Sequence, residues 1–349
     1  MIDLPERQRL ILKEIVDRYI RFHEPVSSRM ILEDYGLEVS SATVRNDMND
    51  LEEAGFIAKP YSSSGRIPSK QGYQFFVEWL LDLSELTREE RVEIVEAYEM
   101  QQLDVEHTIK QTAFLLGNMT SCAGFVIPPR PAETRLERVV LFKVAHRLAF
   151  LLIVTDIGIV EHGYVVLEED LGPEEIARIM ALINETLRGI HLADVRTLSL
   201  DDGPDGWYER PVRQAMFVLG RLLQNRLGQS VQFEGLLNLA DTLQEVVPEH
   251  AMEHFSHLNH AVQDEAAFIE AICQARIQRE GVVASIGDFP LDGMETFSVI
   301  SCEYRPHAGV LGVIGPLWMD YGRALSTASY IANRLESLLS PSHLRTMEE

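Results

Sequence analysis

The segment that most constrains the fold of this chain is residues 40–57, with the sequence SSATVRNDMNDLEEAGFI. The Ser40 hydroxyl can cap the start of a helix, and Gly55 suits the left-handed residue that often follows the end of one. At about 100° per residue, three apolar side chains fall on one stripe: Val44, Met48 and Leu51. The segment therefore predicts an amphipathic helix that buries one face and runs directly into a strand.

The other face of this predicted helix carries a small methyl group, a guanidinium and two carboxamides, from Ala42, Arg45, Asn46 and Asn49. In a major groove, such groups meet thymine methyls, guanine edges or phosphates, and adenine edges. We therefore interpret the helix as a DNA reader. A surface helix with ordinary polar residues is the alternative.

The chain before residue 40 predicts two further helices. The first is indicated in residues 5–22 by the apolar positions Leu12, Ile15, Val16, Tyr19 and Ile20. Pro25 then breaks the chain, and a second short helix should begin near Ser27 or Ser28 and end at Gly36. Because only a tight turn separates Gly36 from Ser40, the second and third helices are predicted to form a helix-turn-helix.

A hairpin is predicted to follow the reading helix. Residues 56–59 have the character of a strand, residues 60–65 that of a Ser-rich turn, and Arg66 and Ile67 that of the returning strand. This pattern is typical of a winged helix, although a solvated hairpin with incidental charges is also possible. Lys59, Arg66 and Lys70 place cations at the wing and just behind it, within reach of phosphates or a minor groove.

The predicted DNA contacts lie on the reading helix and on the wing. Asn46 is the candidate for an adenine edge, Arg45 for guanine or phosphate, and Arg66 for a groove contact of the wing. Ala42 and Thr43 are candidates for a thymine methyl or the DNA backbone. The full set is Ser40, Ser41, Ala42, Thr43, Arg45, Asn46, Asn49, Lys59, Ser63, Ser64, Arg66 and Lys70.

The net charge of −23 at first conflicts with DNA binding, because phosphates repel an acidic surface. Residues 1–80, however, hold 10 Lys and Arg against 13 Asp and Glu, a net charge of −3, which leaves −20 for the remainder. The N-terminal part can therefore still present a cationic face. With so few cations per subunit, useful affinity requires two copies, so the hypothesis needs a homodimer.

Composition sets further limits. A chain of 349 residues, 46% of them hydrophobic, is long enough for two or three domains. No signal segment opens the sequence and no apolar run approaches the length of a bilayer span, so we expect a cytoplasmic protein with no membrane contact. Cys122, Cys273 and Cys302 are widely spaced, and we interpret all three as small, buried, reduced residues.

Beyond the wing, residues 69–83 predict an apolar helix that packs on the winged domain or couples it to the next one; a partner surface is the alternative. Residues 87–119 predict a long helical region. Short apolar runs at 124–127, 136–144, 148–154 and 159–166 then predict strands of a mostly antiparallel sheet, followed by a helix at 173–187. Three more strands, at 282–286, 297–304 and 309–314, precede a closing helix at 321–339. This order predicts an α+β domain with an insertion.

The sequence contains no Walker loop, GxSxG elbow, HExxH motif or dinucleotide fingerprint, so we predict neither an enzyme nor a cofactor. The glycines of residues 309–315 suggest a phosphate cradle, but close packing within a strand explains them more simply.

His250, His254, His257 and His260 share a segment with carboxylates and could hold a metal. We favour an exposed His-rich helix without metal, because a metal site also needs second-shell partners.

These motifs, taken together, identify a family resemblance. Residues 24–28 (EPVSS), 39–48 (VSSATVRNDM) and 63–68 (SSGRIP), with 309–316 (GVLGVIGP) and 319–321 (MDY), resemble the heat-inducible transcription repressor HrcA family of bacteria. Tyr61 stands where the family usually has His, and Trp318 where it usually has Arg. The first departure bears on the wing contacts and the second on any role of that Arg.

The resemblance implies a multidomain α+β fold: an N-terminal winged helix-turn-helix at residues 1–85 and a GAF-like domain at 86–164 and 246–349. A dimerising α+β domain is expected to be inserted at 165–245. The resemblance also implies a dimeric repressor that binds an inverted-repeat operator upstream of chaperone genes, is assisted by the chaperonin and is released on heat stress. A ligand-sensing winged-helix regulator is the alternative function; an enzyme with a DNA module, or a winged domain that binds protein, are other classes.

Overall fold

The computed structural model describes residues 4–35, 39–60, 65–82, 85–99, 105–129, 134–156, 160–167, 169–195, 231–274, 277–279, 281–304 and 309–339. Its first part has three helices: α1 (Glu6–Phe22), α2 (Ser28–Tyr35) and α3 (Ser41–Glu53). A hairpin of β1 (Ile57–Ala58) and β2 (Ile67–Pro68) follows. The predicted winged helix-turn-helix is therefore confirmed. Gly36, Tyr61, Ser63 and Ser64 lie outside the described residues.

The segment after the wing joins the winged domain to the rest of the chain. It consists of α4 (Lys70–Phe75), which continues as a π-helical turn over Phe76–Leu80. Tyr73, Phe76 and Val77 are buried, and Gln74 Nε2 donates a hydrogen bond to the Ile286 carbonyl at 2.9 Å. This is the coupling role predicted for residues 69–83. Helices α5 (Arg88–Glu99) and α6 (Val105–Thr120) follow.

The body is built on a six-stranded antiparallel sheet. Its strands, in spatial order, are β7 (Gln232–Glu234), β3 (Ala123–Ile127), β11 (Gly309–Pro316), β10 (Phe297–Tyr304), β9 (Val282–Ile286) and β8 (Ile277–Arg279). Helices α6 and α12 (Tyr321–Leu338) cover one face. The other face packs on α9 (Leu236–Val246), α10 (Ala251–Gln263) and α11 (Glu265–Gln274).

The glycine-rich strand β11 is a site of close packing. A Cβ atom placed on Gly312 would lie 2.0 Å from the Ile300 carbonyl oxygen and 2.7 Å from the Phe125 ring. Only glycine lets the neighbouring strand and this ring approach so closely. The packing interpretation of residues 309–315 thus has a direct structural reason.

A second, three-stranded antiparallel sheet lies apart from the first. It comprises β4 (Leu136–Ala145), β5 (Leu148–Thr155) and β6 (Val160–Val166). One face packs on α7 (Pro173–Leu187) in a hydrophobic core of its own, which also includes Leu192 of α8 (Leu192–Val195). These strands therefore belong to a separate unit.

This topology corrects the predicted insert at residues 165–245. Strand β3 ends at Ile127 and its neighbour β7 begins at Gln232, so the chain leaves the body sheet after the first and returns at the second. Strands that form a separate sheet, over Leu136–Ala145, Leu148–Thr155 and Val160–Val166, lie between these two points, whereas β7 and α9 pack with the body. We propose an insert at about residues 128–231, between the two parts of the body.

The winged domain and the body share one continuous hydrophobic core. At the junction, the ring centroids of Tyr73 and Tyr321 lie 6.0 Å apart. The ring centroids of His23 and Trp318 lie 6.5 Å apart, and these two rings meet edge to face. Trp318 thus lies against His23, the residue that follows α1. The reading helix is therefore held on the body through apolar packing.

The thiols match the sequence prediction only in part. Cys122 and Cys302 are buried, and burial raises their pKa to about 12 and about 11. Cys273 is exposed, which corrects the prediction that all three are buried. It lies near the end of α11, on the side away from buried Ala271 and Ile272.

Two histidines of α10, His254 and His257, take part in packing, whereas His260 is exposed. His254 Nδ1 lies 3.2 Å from Thr296 Oγ1, and burial lowers the pKa of this histidine. His257 lies so close to Gly293 that a Cβ there would be 2.6 Å from its ring. Among the described residues, no group of three His, Cys, Asp or Glu side chains is arranged to hold a metal ion. Over the same residues, no helix has the length and apolarity to cross a bilayer.

Candidate DNA-binding surface

The start of the reading helix α3 is fixed by a side-chain cap. The Ser40 hydroxyl accepts a hydrogen bond from the Thr43 amide at 3.1 Å, as predicted from the sequence. The predicted stripe of Val44, Met48 and Leu51 is buried in the core. Gly55 has φ +83°, the left-handed conformation expected just beyond the helix end.

The opposite face of α3 is open to solvent. Ala42, Arg45 and Asn46 are exposed, and Arg45 and Asn46 have no side-chain hydrogen-bond partner within the described part of the chain. Their donors and acceptors are therefore available to a ligand. Nearby, the Thr43 hydroxyl lies 2.9 Å from Ser40 Oγ, and the Ser41 hydroxyl lies 3.4 Å from Ser28 Oγ.

An ion pair that the sequence did not reveal anchors α3 to α1. Arg7 donates to Asp47 through Nε at 2.6 Å and through Nη2 at 3.0 Å, and the Asp47 side chain is only 6% exposed. This contact raises the pKa of Arg7. Gln8 adds a hydrogen bond to Asp50 at 3.1 Å. A bidentate pair sets the direction of the partners as well as their distance.

A signal for Asp47 was present in the sequence. The residue lies three positions after Val44 and four before Leu51, so it falls on the buried stripe rather than on the reading face. A carboxylate at a buried helical position needs a charged partner. The sequence could show that need, but it could not show that the partner is Arg7, forty residues earlier.

The arginine of the wing has partners within the protein. Arg66 is buried; its Nη2 contacts Glu52 Oε2 at 2.7 Å and donates to Asn49 Oδ1 at 2.9 Å. Its backbone pairs with Val26 through two hydrogen bonds of 2.8 Å. In this conformation, the Asn49 side-chain oxygen is occupied by the hydrogen bond from Arg66. In the structure Arg66 makes a bracing contact within the domain, and its predicted groove contact stays a prediction.

The two lysines are also partly engaged. Lys59 Nζ lies 3.5 Å from Glu52 Oε2, and its side chain is 39% exposed. The stem of Lys70 packs on the body, since a Cβ at Gly287 would lie 3.0 Å from Lys70 Cδ. Lys59 is therefore placed at the wing, as predicted, whereas Lys70 lies at the junction with the body.

The fold and this surface define a winged-helix DNA-binding protein, and comparison with known families agrees. Residues 13–67 match the DeoR-like helix-turn-helix domain, and residues 106–325 match the HrcA protein C-terminal domain. The chain is 32% identical to the heat-inducible transcription repressor HrcA of Syntrophobacter fumaroxidans over 97% of its own length and 98% of the relative. It is 33% identical to that of Moorella thermoacetica, over 96% and 98% respectively.

A solved structure, described only as a hypothetical protein at 2.2 Å resolution, is also similar. It has a TM-score of 0.62 and 25% sequence identity, and the match covers 97% of this chain and 99% of the other. The chain belongs to the HrcA family of heat-inducible transcription repressors. Its role is that of a DNA-binding repressor of heat-shock genes, which is not an enzymatic one.

We expect loss of the Asp47 carboxylate to loosen α3. In Asp47→Ala, Arg7 no longer ties the helix to α1, so hydrogen exchange of the α3 backbone amides should rise about tenfold. Asp50→Ala is the matched control, because the Asp50 carboxylate accepts one bond from a neutral, exposed amide. Equal exchange in the two variants would show that the Arg7 pair does not anchor the helix.

Proposed function

We propose that the chain binds an inverted-repeat operator as a homodimer, with one α3 helix in each of two successive major-groove faces. The observation that carries this proposal is the open face of α3, where Arg45 and Asn46 project from a capped and anchored helix. Operator symmetry would then mirror the symmetry of the protein. By occupying this site upstream of chaperone genes, the dimer blocks transcription.

The same surface supports the need for two copies. Of the four cations predicted at the DNA face, Arg66 is buried, Lys59 lies beside Glu52, and Lys70 packs on the body. Arg45 is the exposed cation on the open face of α3, and Lys59 and Lys70 are exposed as well. Since each phosphate contact adds to affinity, one copy should bind weakly and with marked salt dependence.

The insert offers a surface for pairing with a second copy. The face of its sheet that is turned away from α7 carries large apolar side chains: Phe142, Val144, Val160, Tyr164 and Val166, which are 48–66% exposed. Phe142, Phe150 and Tyr164 are cross-strand neighbours on this face. A contiguous exposed apolar face of this kind is typical of a protein interface. A two-fold axis over it would bring the same patch of both copies together.

A reading role for α3 predicts that Arg45→Ala and Asn46→Ala each lower operator affinity by about 5- to 150-fold, because a good base contact contributes about 1–3 kcal/mol. A base contact should also relax specificity at one position, whereas a phosphate contact should mainly lower the salt slope. Gel-shift titrations at two salt concentrations separate these cases.

The control for this experiment is Arg29→Ala. Arg29 is an exposed arginine of α2, paired with Glu33 four residues later, so the variant removes the same charge from a neighbouring helix. If all three variants bound the operator like the wild type, the winged domain would not read DNA through this face. A winged domain that binds protein would give that result.

The dimer surface is tested by Phe142→Glu combined with Tyr164→Glu. Two carboxylates on the apolar face of each copy should oppose pairing, so sedimentation equilibrium should give the monomer mass. Operator affinity should fall by about 100-fold or more, because the second half-site is no longer bound intramolecularly. Leu237→Glu, at a position of α9 that is 76% exposed, is the control. A dimer that persists in the double variant would contradict this choice of surface.

We further propose a cytoplasmic protein whose active form depends on the chaperonin and is lost on heating. The junction supports this, since its buried polar atoms include His23 Nδ1, Tyr73 Oη and Trp318 Nε1, which have no hydrogen-bond partner among the described residues. Unsatisfied polar atoms weaken a buried interface. An assembly of limited stability loses its DNA-binding form when heat or lack of assistance depletes it.

For this mechanism, we expect heating of the purified protein to abolish operator binding, and chaperonin with ATP to restore more binding than ATP alone. Gel shifts before heating, after heating and after recovery provide the measurement. Full binding after heat shock without chaperonin would rule out the mechanism while leaving the DNA function intact.

A further inference from the structure

Glu52 connects the reading helix to the wing. The residue lies in the last turn of α3, and its Oε2 atom lies 2.7 Å from Arg66 Nη2 and 3.5 Å from Lys59 Nζ. One carboxylate thus faces two of the cations that the sequence assigned to DNA. Its side chain is 30% exposed, so the pair with Arg66 is partly shielded from solvent.

The position is unfavourable for a carboxylate in the isolated helix. The C-terminal end of a helix carries partial negative charge, which disfavours an acidic side chain. The two cations offset this effect. Glu52 is therefore stabilised by the wing rather than by the helix that carries it.

Arg66 extends this contact to a third part of the domain. Its backbone is hydrogen-bonded in both directions to Val26, in the connection between α1 and α2. Gly65 also lies close to Val26, because a Cβ on this glycine would be 2.5 Å from the Val26 carbonyl oxygen. The Arg66 guanidinium also donates a hydrogen bond to Asn49, on the reading face. The wing base is thus fixed by its backbone on one side and by Glu52 on the other.

We propose that Glu52 is a positioning residue that determines operator specificity. By holding Arg66 and Lys59, it sets the wing at one position relative to Arg45 and Asn46, and it withdraws two cations from indiscriminate contact with phosphates. The negative charge weakens binding to any DNA, while the fixed wing favours the sequence that suits it. Discrimination of this kind gains as much from weak binding to wrong sites as from tight binding to the right one. The inference rests on the proposed operator binding.

The test compares Glu52→Gln with Glu53→Gln. Both variants lose one negative charge, but Glu53 is exposed and has no side-chain partner within the described part of the chain. Affinity is measured for the operator and for a scrambled duplex of equal length, at two salt concentrations. For Glu52→Gln we expect the ratio of operator to scrambled affinity to fall about tenfold, with tighter binding to the scrambled duplex. The salt slope should steepen by about one as a released cation reaches a phosphate.

The control should leave this ratio within about twofold of the wild type, since it changes only the overall charge. If Glu52→Gln also leaves the ratio unchanged, the positioning role is wrong and the residue acts as a simple charge. If both DNA affinities fall by the same factor together with the unfolding temperature, the role is only structural, and the proposal is equally overturned.

Two further variants distinguish loss of specificity from loss of folding. Arg66→Gln removes the cation that contacts Glu52, so the specificity of this variant for the operator should fall as well. The double variant Glu52→Gln/Arg66→Gln should be no less specific than the worse single variant. Additive losses would show that the two residues do not act as a unit. A wild-type protein without preference for the operator would instead refute the operator-binding proposal itself.

Discussion

The described residues of the winged domain share one hydrophobic core with the body, and the geometry of the DNA-facing surface depends on this continuity. Side chains of α1, α3 and α4 pack into the same buried cluster as α6, α12 and one face of the six-stranded sheet. A reading helix on a flexible tether would have to be ordered at each binding event. Here it is held in advance, so a change in the body can alter the direction in which Arg45 and Asn46 point. The junction thus couples the position of the reading helix to the body.

Local patterns were sufficient to predict the elements of the winged domain. The serine cap, the glycine beyond the helix end and the stripe of Val44, Met48 and Leu51 each depend on residues close in sequence, and each is present in the structure. The partners of charged residues depend on distant parts of the chain. Arg66 was assigned to DNA because a cation on a wing usually faces phosphate. The nearness of Glu52, in the last turn of α3, became visible only in three dimensions.

The same limit explains the corrected insert. Strands β3 to β6 follow one another as short apolar or alternating runs, and these patterns do not show which strand pairs with β11 and which form their own sheet. One edge of the body sheet is formed by β7, a strand of three residues that lies more than one hundred positions after β3 in the sequence. Such a short strand has too little periodicity to be recognised. Without it, the point at which the chain returns to the body could not be predicted.

The charge of the chain and the structure of its DNA surface both indicate that one copy has low affinity for DNA. The region after residue 80 carries a net charge of −20, so the body repels DNA, and most cations predicted at the reader are engaged within the protein. A single copy on random DNA therefore gains little. In the proposed dimer, two copies joined through their inserts would add the contacts of both reading helices, while the repulsion would oppose binding wherever those contacts do not fit. Low affinity per copy is thus the condition under which loss of the dimer, or of its junction, is enough to release the operator.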